Sequence, residues 1–144
     1  MGLVYLAQTD TTVGFLSRNR GLLNRLKGRP ENQPVLREVA SLEILKEFTR
    51  VPKRFRREVR RRRQVTYLYP NWEALRVVDW GPHSNFLKKF GWLYSTSANP
   101  TGGSFSLQWA WERADLVLVD RRGLFDAPPS PIYRLGRRKK LKIR

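Results

Sequence analysis

Two short stretches of this sequence carry residue types that can do chemistry. The first is Ser95-Thr96-Ser97-Ala98-Asn99-Pro100-Thr101-Gly102-Gly103, where the apolar run Trp92-Leu93-Tyr94 breaks into hydroxyl and amide side chains, a proline and two glycines. A buried strand that ends at a polar site has this pattern. Ser97 and Asn99 donate and accept hydrogen bonds from short stems, and Gly102 and Gly103 let the backbone approach a ligand closely. The second stretch is Lys27-Gly28-Arg29-Pro30. An ammonium is a point charge and a guanidinium a rigid fork, and together they suit phosphate oxygens. Ordinary structure accounts for the same residues: a serine-rich turn capping a helix at Ser104, and two cations complementing a helix C-terminus.

The elements that must position these residues follow from periodicity and punctuation. Leu3–Ala7 reads as a buried strand, followed by a polar loop from Gln8 to Phe15. Leu22, Leu23 and Leu26 lie at helical spacing, so Arg20–Lys27 is expected to be a helix that Gly28 and Pro30 stop. Val35–Val39 suits a strand, and Ser41 caps a helix reaching about Thr49. Val65–Tyr69 and Ala74–Val78 are expected strands, and Pro82-His83-Ser84 opens a helix that Gly91 terminates. Trp92–Ser95 is a strand, a helix runs from about Ser104 to Arg113, and Leu116–Val119 is a buried strand. Ile132–Leu135 and Leu141–Ile143 pair as a hairpin around Gly136-Arg137-Arg138. Strands and helices alternate irregularly, which predicts an α/β fold with an open mixed sheet.

The 144 residues suit one domain spanning 1–144. Lysine and arginine total 29 against 12 acids, a net charge of +17, which draws polyanions to the surface. The excess is densest at Lys53–Arg63, where Phe55 and Val59 alone are apolar, at i and i+4. That spacing pins a helix along a narrow edge, with Arg54, Arg57, Arg60 and Arg61 as candidate RNA contacts or as a solvated face. With no cysteine and one histidine, disulfides and thiolate metal sites are excluded, and no protein metal centre or serine–histidine catalysis is expected. No apolar run approaches the ~20 residues that cross a membrane, and the N-terminus lacks the features of a signal peptide, so the expected location is cytoplasmic.

Several separated stretches together resemble the Sua5/YciO/YrdC group of threonylcarbamoyl-adenylate synthases. Thr9-Asp10-Thr11 with Gly14 is similar to the family's P-T-[DE]-T-x-Y-G segment. Lys27-Gly28-Arg29-Pro30-Glu31-Asn32-Gln33-Pro34 matches K-x-R-P-x-N-x-P, and Ser95–Asn99 matches S-T-S-A-N. Val65-Thr66, Leu75-Arg76-Val77, Pro129-Ser130-Pro131-Ile132 and Lys142-Ile143-Arg144 resemble further segments in the family's order. The resemblance runs through nearly the whole chain.

The resemblance implies an open twisted sheet around a deep basic cleft. It also implies a nucleotidyltransferase that condenses L-threonine, bicarbonate and ATP into threonylcarbamoyl-AMP, releasing pyrophosphate. That product feeds the t6A modification of tRNA through the transferase proteins of the pathway. Lys27, Arg29, Ser97, Asn99 and Arg144 would serve ATP, with Lys27 and Arg29 acting in catalysis. Thr9, Thr11, Arg76 and Ser130 would surround the threonine, and Mg2+ would accompany ATP, held mostly by phosphates and water. A carbamate oxygen attacking the α-phosphate needs positioning and charge neutralisation more than a covalent nucleophile.

The chain departs from the family's pattern at Gln8 and Val13, at Arg62-Arg63-Gln64, and in a shortened middle between Val39 and Thr66. These departures touch the threonine side more than the phosphate side. Two readings follow: a compact synthase, or a non-catalytic protein of the same fold that binds tRNA or other double-stranded or structured RNA through its basic surface.

Overall fold

The computed structural model describes residues 2–144. In chain order the elements are β1 (Tyr5–Gln8), β2 (Val13–Ser17), α1 (Arg20–Leu26), β3 (Arg37–Val39) and α2 (Leu42–Phe48). A 3-10 turn (Lys53–Phe55) runs into α3 (Arg56–Arg61), followed by β4 (Thr66–Leu68), β5 (Ala74–Val77) and α4 (Gly81–Leu87). The chain ends with β6 (Trp92–Ser97), α5 (Leu107–Arg113), β7 (Leu116–Val117), β8 (Ile132–Leu135) and β9 (Lys140–Lys142). This is the α/β class, with parallel and antiparallel strand pairs mixed.

The chain divides into two compact units, one of residues up to Val35 with Leu93–Pro129, the other of Leu36–Trp92 with Ser130–Arg144. In the first, the strand order is β7-β1-β2-β6, with β1 parallel to β7 and antiparallel to β2. Leu6, Val13, Phe15, Leu23, Ala98 and Ala110 are buried together, so β1, β2, α1 and α5 share one core. Asn19 caps α1 by accepting from the Leu22 N–H at 3.2 Å, and Gly28 leaves the helix with φ +66, a conformation that favours glycine.

In the second unit the order is β3-β5-β4-β8-β9, and its core gathers Val39, Leu45, Phe55, Val59, Tyr67, Tyr69 and Leu75. Ser41 caps α2 as its sequence predicts, accepting from the Ile44 N–H at 3.2 Å. Phe55 and Val59 are buried while the arginines around them stay exposed, which is the pinned helix expected of the basic block. The three residues of the outer strand β9 are exposed, and two of them are lysines, which discourage pairing with another chain.

Three expectations are corrected. The stretch from Gln8 to Phe15 is not all loop, because Val13–Ser17 forms a wholly buried strand paired to β1 and β6. Leu116–Val119 contributes only two strand residues, and Val119 is 63% exposed, because β7 lies at the rim of its unit. The helix expected from Ser104 begins at Leu107, since Ser106 is the serine that accepts from the Trp109 N–H.

Candidate functional site

In the first unit the two chemical stretches meet at one side chain. Lys27 is the C-cap residue of α1, and the residue is only 7% exposed. It donates to the backbone carbonyls of Ser97, at 2.8 Å, and Asn99. The Ser97 hydroxyl at 3.4 Å and the Asn99 Oδ1 at 3.3 Å complete its shell. The Thr101 hydroxyl returns the connection by donating to the Lys27 carbonyl at 2.6 Å. Asn99 Nδ2 donates to the carbonyls of Pro100 and Gly103 and closes the turn at the end of β6. Burial, helped by the positive charge of Arg29, lowers the Lys27 ammonium to about 8.

Arg29 is held beside it. Its backbone N–H donates to the Asn24 carbonyl at 2.8 Å, and Asn24 staples the following loop by donating to Glu31 and Gln33 carbonyls at 2.9 Å each. Arg29 Nη2 donates to the Thr96 hydroxyl at 3.2 Å. Its Nε is buried and meets no acceptor among the described residues. A half-buried guanidinium with an unpaired donor is a ready partner for an anionic oxygen.

Thr9 and Thr11 form the turn between β1 and β2. Thr9 Oγ1 donates to the Thr12 carbonyl at 2.6 Å and accepts from the Thr11 N–H at 3.1 Å, so it satisfies its own backbone. Arg122, which the sequence did not single out, braces this turn by donating to the carbonyls of Gln8 and Thr9 at 2.8 Å. Gln8, where the family pattern has proline, accepts from the Phe125 N–H at 2.8 Å through Oε1. The departure has become a strut.

In the second unit Arg76, Ser130 and Arg144 come together. Arg76 Nη1 donates to the hydroxyls of Thr66 at 3.3 Å and Ser130 at 3.1 Å, and these hydroxyls are themselves 2.8 Å apart. Arg144 donates to the Ser130 carbonyl from Nε at 3.0 Å and Nη2 at 2.8 Å. Burial and then the charge of Arg76 lower its affinity for the proton. Beneath Arg76 lies Glu38, a residue absent from the predicted site, with His83 on its other oxygen at 2.5 Å. The only sequence signal for Glu38 was one acid inside an otherwise strand-like run. Arg54, Arg57, Arg60 and Arg61 lie exposed on the 3-10 turn and α3.

No family model matches the chain, and no curated protein matches it in sequence. Solved structures do match. P. abyssi Sua5 complexed with L-threonine superposes with a TM-score of 0.74 at 16% identity, covering 99% of this chain and 50% of that one. The solution structure of MTH1692 from Methanobacterium thermoautotrophicum gives 0.69 at 22% identity, covering 98% and 79%. This chain has the Sua5 fold. Full-length HypF in its phosphate- and nucleotide-bound form also matches, at 0.73 and 14% identity over 99% of this chain and 26% of that one. The chain spans about half the length of the Sua5 structure, and identities this low show the fold alone. Among the described residues no helix is long and apolar enough to cross a membrane, and no three His, Cys, Asp or Glu side chains converge as metal ligands.

Proposed function

We propose that this chain is a threonylcarbamoyl-AMP synthase that takes ATP on the loops around Lys27 and Ser97. The observation that carries the reading is the Lys27 ammonium, which laces together the two stretches that resemble the family most specifically. Arg29 is the residue that touches phosphate, because its Nε has no acceptor of its own among the described residues. Lys27 holds the Ser97–Asn99 backbone in place and adds positive charge at short range. Ser97 and Asn99 shape the turn against which the nucleotide lies. Magnesium arrives with the triphosphate, held by phosphate and water. In the second unit Arg144, held at Ser130 beside Arg76, supplies the positive charge for the threonine carboxylate.

Bicarbonate and the threonine amine give a carbamate and water. A carbamate oxygen then bonds to the α-phosphorus as the bond to pyrophosphate breaks. The likeness to a Sua5 complexed with L-threonine and to a HypF bound to phosphate and nucleotide supports ligands of these classes. The adenylate is then passed to the transferase proteins that act on tRNA in the cytoplasm.

Pyrophosphate release from ATP, with threonine and bicarbonate each present or omitted, tests this. Release that needs both and falls at least 100-fold in Arg29→Ala, roughly the effect of losing one charge-stabilising donor, supports the synthase. Thermal protection by ATP without any release points instead to a non-catalytic protein of the same fold. Neither release nor protection overturns both.

A further inference from the structure

We propose that the second unit carries a separate site for single-stranded RNA, built from a basic groove and an exposed tryptophan. Arg50, Lys53, Arg54, Arg137 and Arg138, with Pro70, line a groove of about 670 Å³, and no carboxylate lines it. Three separate connections build it: the segment after α2, the β4–β5 turn and the β8–β9 turn. Five cations from two of these connections, gathered without an acid, repel one another, and an anionic ligand relieves that repulsion. The volume is that of a small-ligand cleft, and its open cationic walls suit a run of backbone phosphates.

Two residues beyond Pro70 stands Trp72, 65% exposed and held at φ +68, an outlier conformation for a bulky side chain. The turn imposes that conformation. The Trp72 N–H donates to the Tyr69 carbonyl at 2.8 Å, and Asn71 is anchored through the Phe48 carbonyl at 2.9 Å and the Thr49 hydroxyl at 3.0 Å. The Arg134 guanidinium sits 4.4 Å from the indole centroid. A strained aromatic that is turned outward gains nothing from the core. Propped by an arginine beside a basic groove, it has the form of a stacking platform for a base.

A duplex keeps its bases stacked inside and offers none to such a platform. Single-stranded RNA, whose bases splay onto aromatic side chains, is the partner that satisfies both features. Of the four arginines expected to contact RNA, only Arg54 lines the groove, while Arg57, Arg60 and Arg61 do not.

The test is fluorescence anisotropy with a labelled oligouridylate of about ten nucleotides, titrated at several salt concentrations. R137A/R138A removes two cations from the groove and R60A/R61A removes two from α3, so the two variants are matched in charge; melting curves confirm that each variant folds. R137A/R138A is expected to lower the slope of log affinity against log salt by about 1.4, two phosphates at about 0.7 each. R60A/R61A is expected to leave that slope unchanged. Trp72→Ala is expected to weaken binding roughly tenfold or more with the slope unaltered. Equal losses from the two double variants, an inert Trp72→Ala, or equal affinity for a duplex of the same length overturns the proposal. Equal affinity for the matching DNA strand overturns its assignment to RNA.

Discussion

The carboxylate of Glu38 accepts from Arg76 at 2.8 Å, and the two side chains are 0% and 4% exposed. They are direct partners in the parallel pairing of β3 with β5. Glu38 spends its second oxygen on His83, while Arg76 spends its second nitrogen on Thr66 and Ser130. The guanidinium is therefore locked in one orientation by groups that are themselves buried. Removing one partner of such a pair leaves a charge with neither water nor counter-ion. Glu38→Ala is expected to cost about 3–5 kcal/mol in urea unfolding. A cost below about 1 kcal/mol would show that Arg76 finds other partners.

Lys27 makes stability depend on pH in the alkaline range. Its folded value of about 8 lies below the ordinary 10.5, so the folded protein binds this proton more weakly than the unfolded chain does. The sign follows: this contribution to stability rises as pH climbs from about 8 to 10.5 and is flat below. The urea midpoint of the wild type relative to Lys27→Met should therefore increase over that interval. Phosphate binding should run the other way, weakening above pH 8 as the ammonium loses its charge.

Gly14 sits where a side chain would be tightly crowded. A Cβ there would lie 3.1 Å from the Thr96 carbonyl oxygen and 3.2 Å from Thr9 Cγ2, pressing the β1–β2 turn against β6. Gly14→Ala is expected to cost about 1–3 kcal/mol by overpacking and to weaken ATP protection, because Thr96 anchors Arg29. Wild-type melting and ATP protection in this variant would refute the coupling.

Tyr67 donates to Glu58 at 2.7 Å, and Lys140 reaches the other carboxylate oxygen at 3.0 Å. Burial raises the Glu58 carboxyl, but these two hydrogen bonds, with the charges of Lys140 and Arg62, hold it below its ordinary value. A depressed acid stabilises the fold above the ordinary carboxylate range and loses that contribution as pH falls through the folded value. Tyr67→Phe should cost about 1 kcal/mol near neutral pH and less in acid, as read from paired unfolding curves.

What the sequence determined by itself was local. Alternating and helical periodicity placed most strands and helices, and Ser41 and Gly28 marked helix ends through chemistry that acts within one turn. The clustering of Lys27, Arg29, Ser97 and Asn99 was legible because cations and short polar groups gathered at element ends suit one anion. The buried strand at Val13–Ser17 was hidden by the polar turn before it, and its burial comes from neighbours on both sides, β1 and β6.

Only the tertiary structure decided the pairings. Glu38 reads as one acid in a strand until β3 and β5 align and bury it against Arg76 and His83. Gln8 and Arg122 become a brace only when residues more than a hundred positions apart fold together. Lys27 resembled a free charge for phosphate, whereas the fold spends its donors on backbone carbonyls and leaves the Arg29 Nε unpaired among the described residues. Periodicity reports which face a residue takes along its own element. Which charge it meets there is set by strand order and loop closure, and those are settled by the burial of the whole chain.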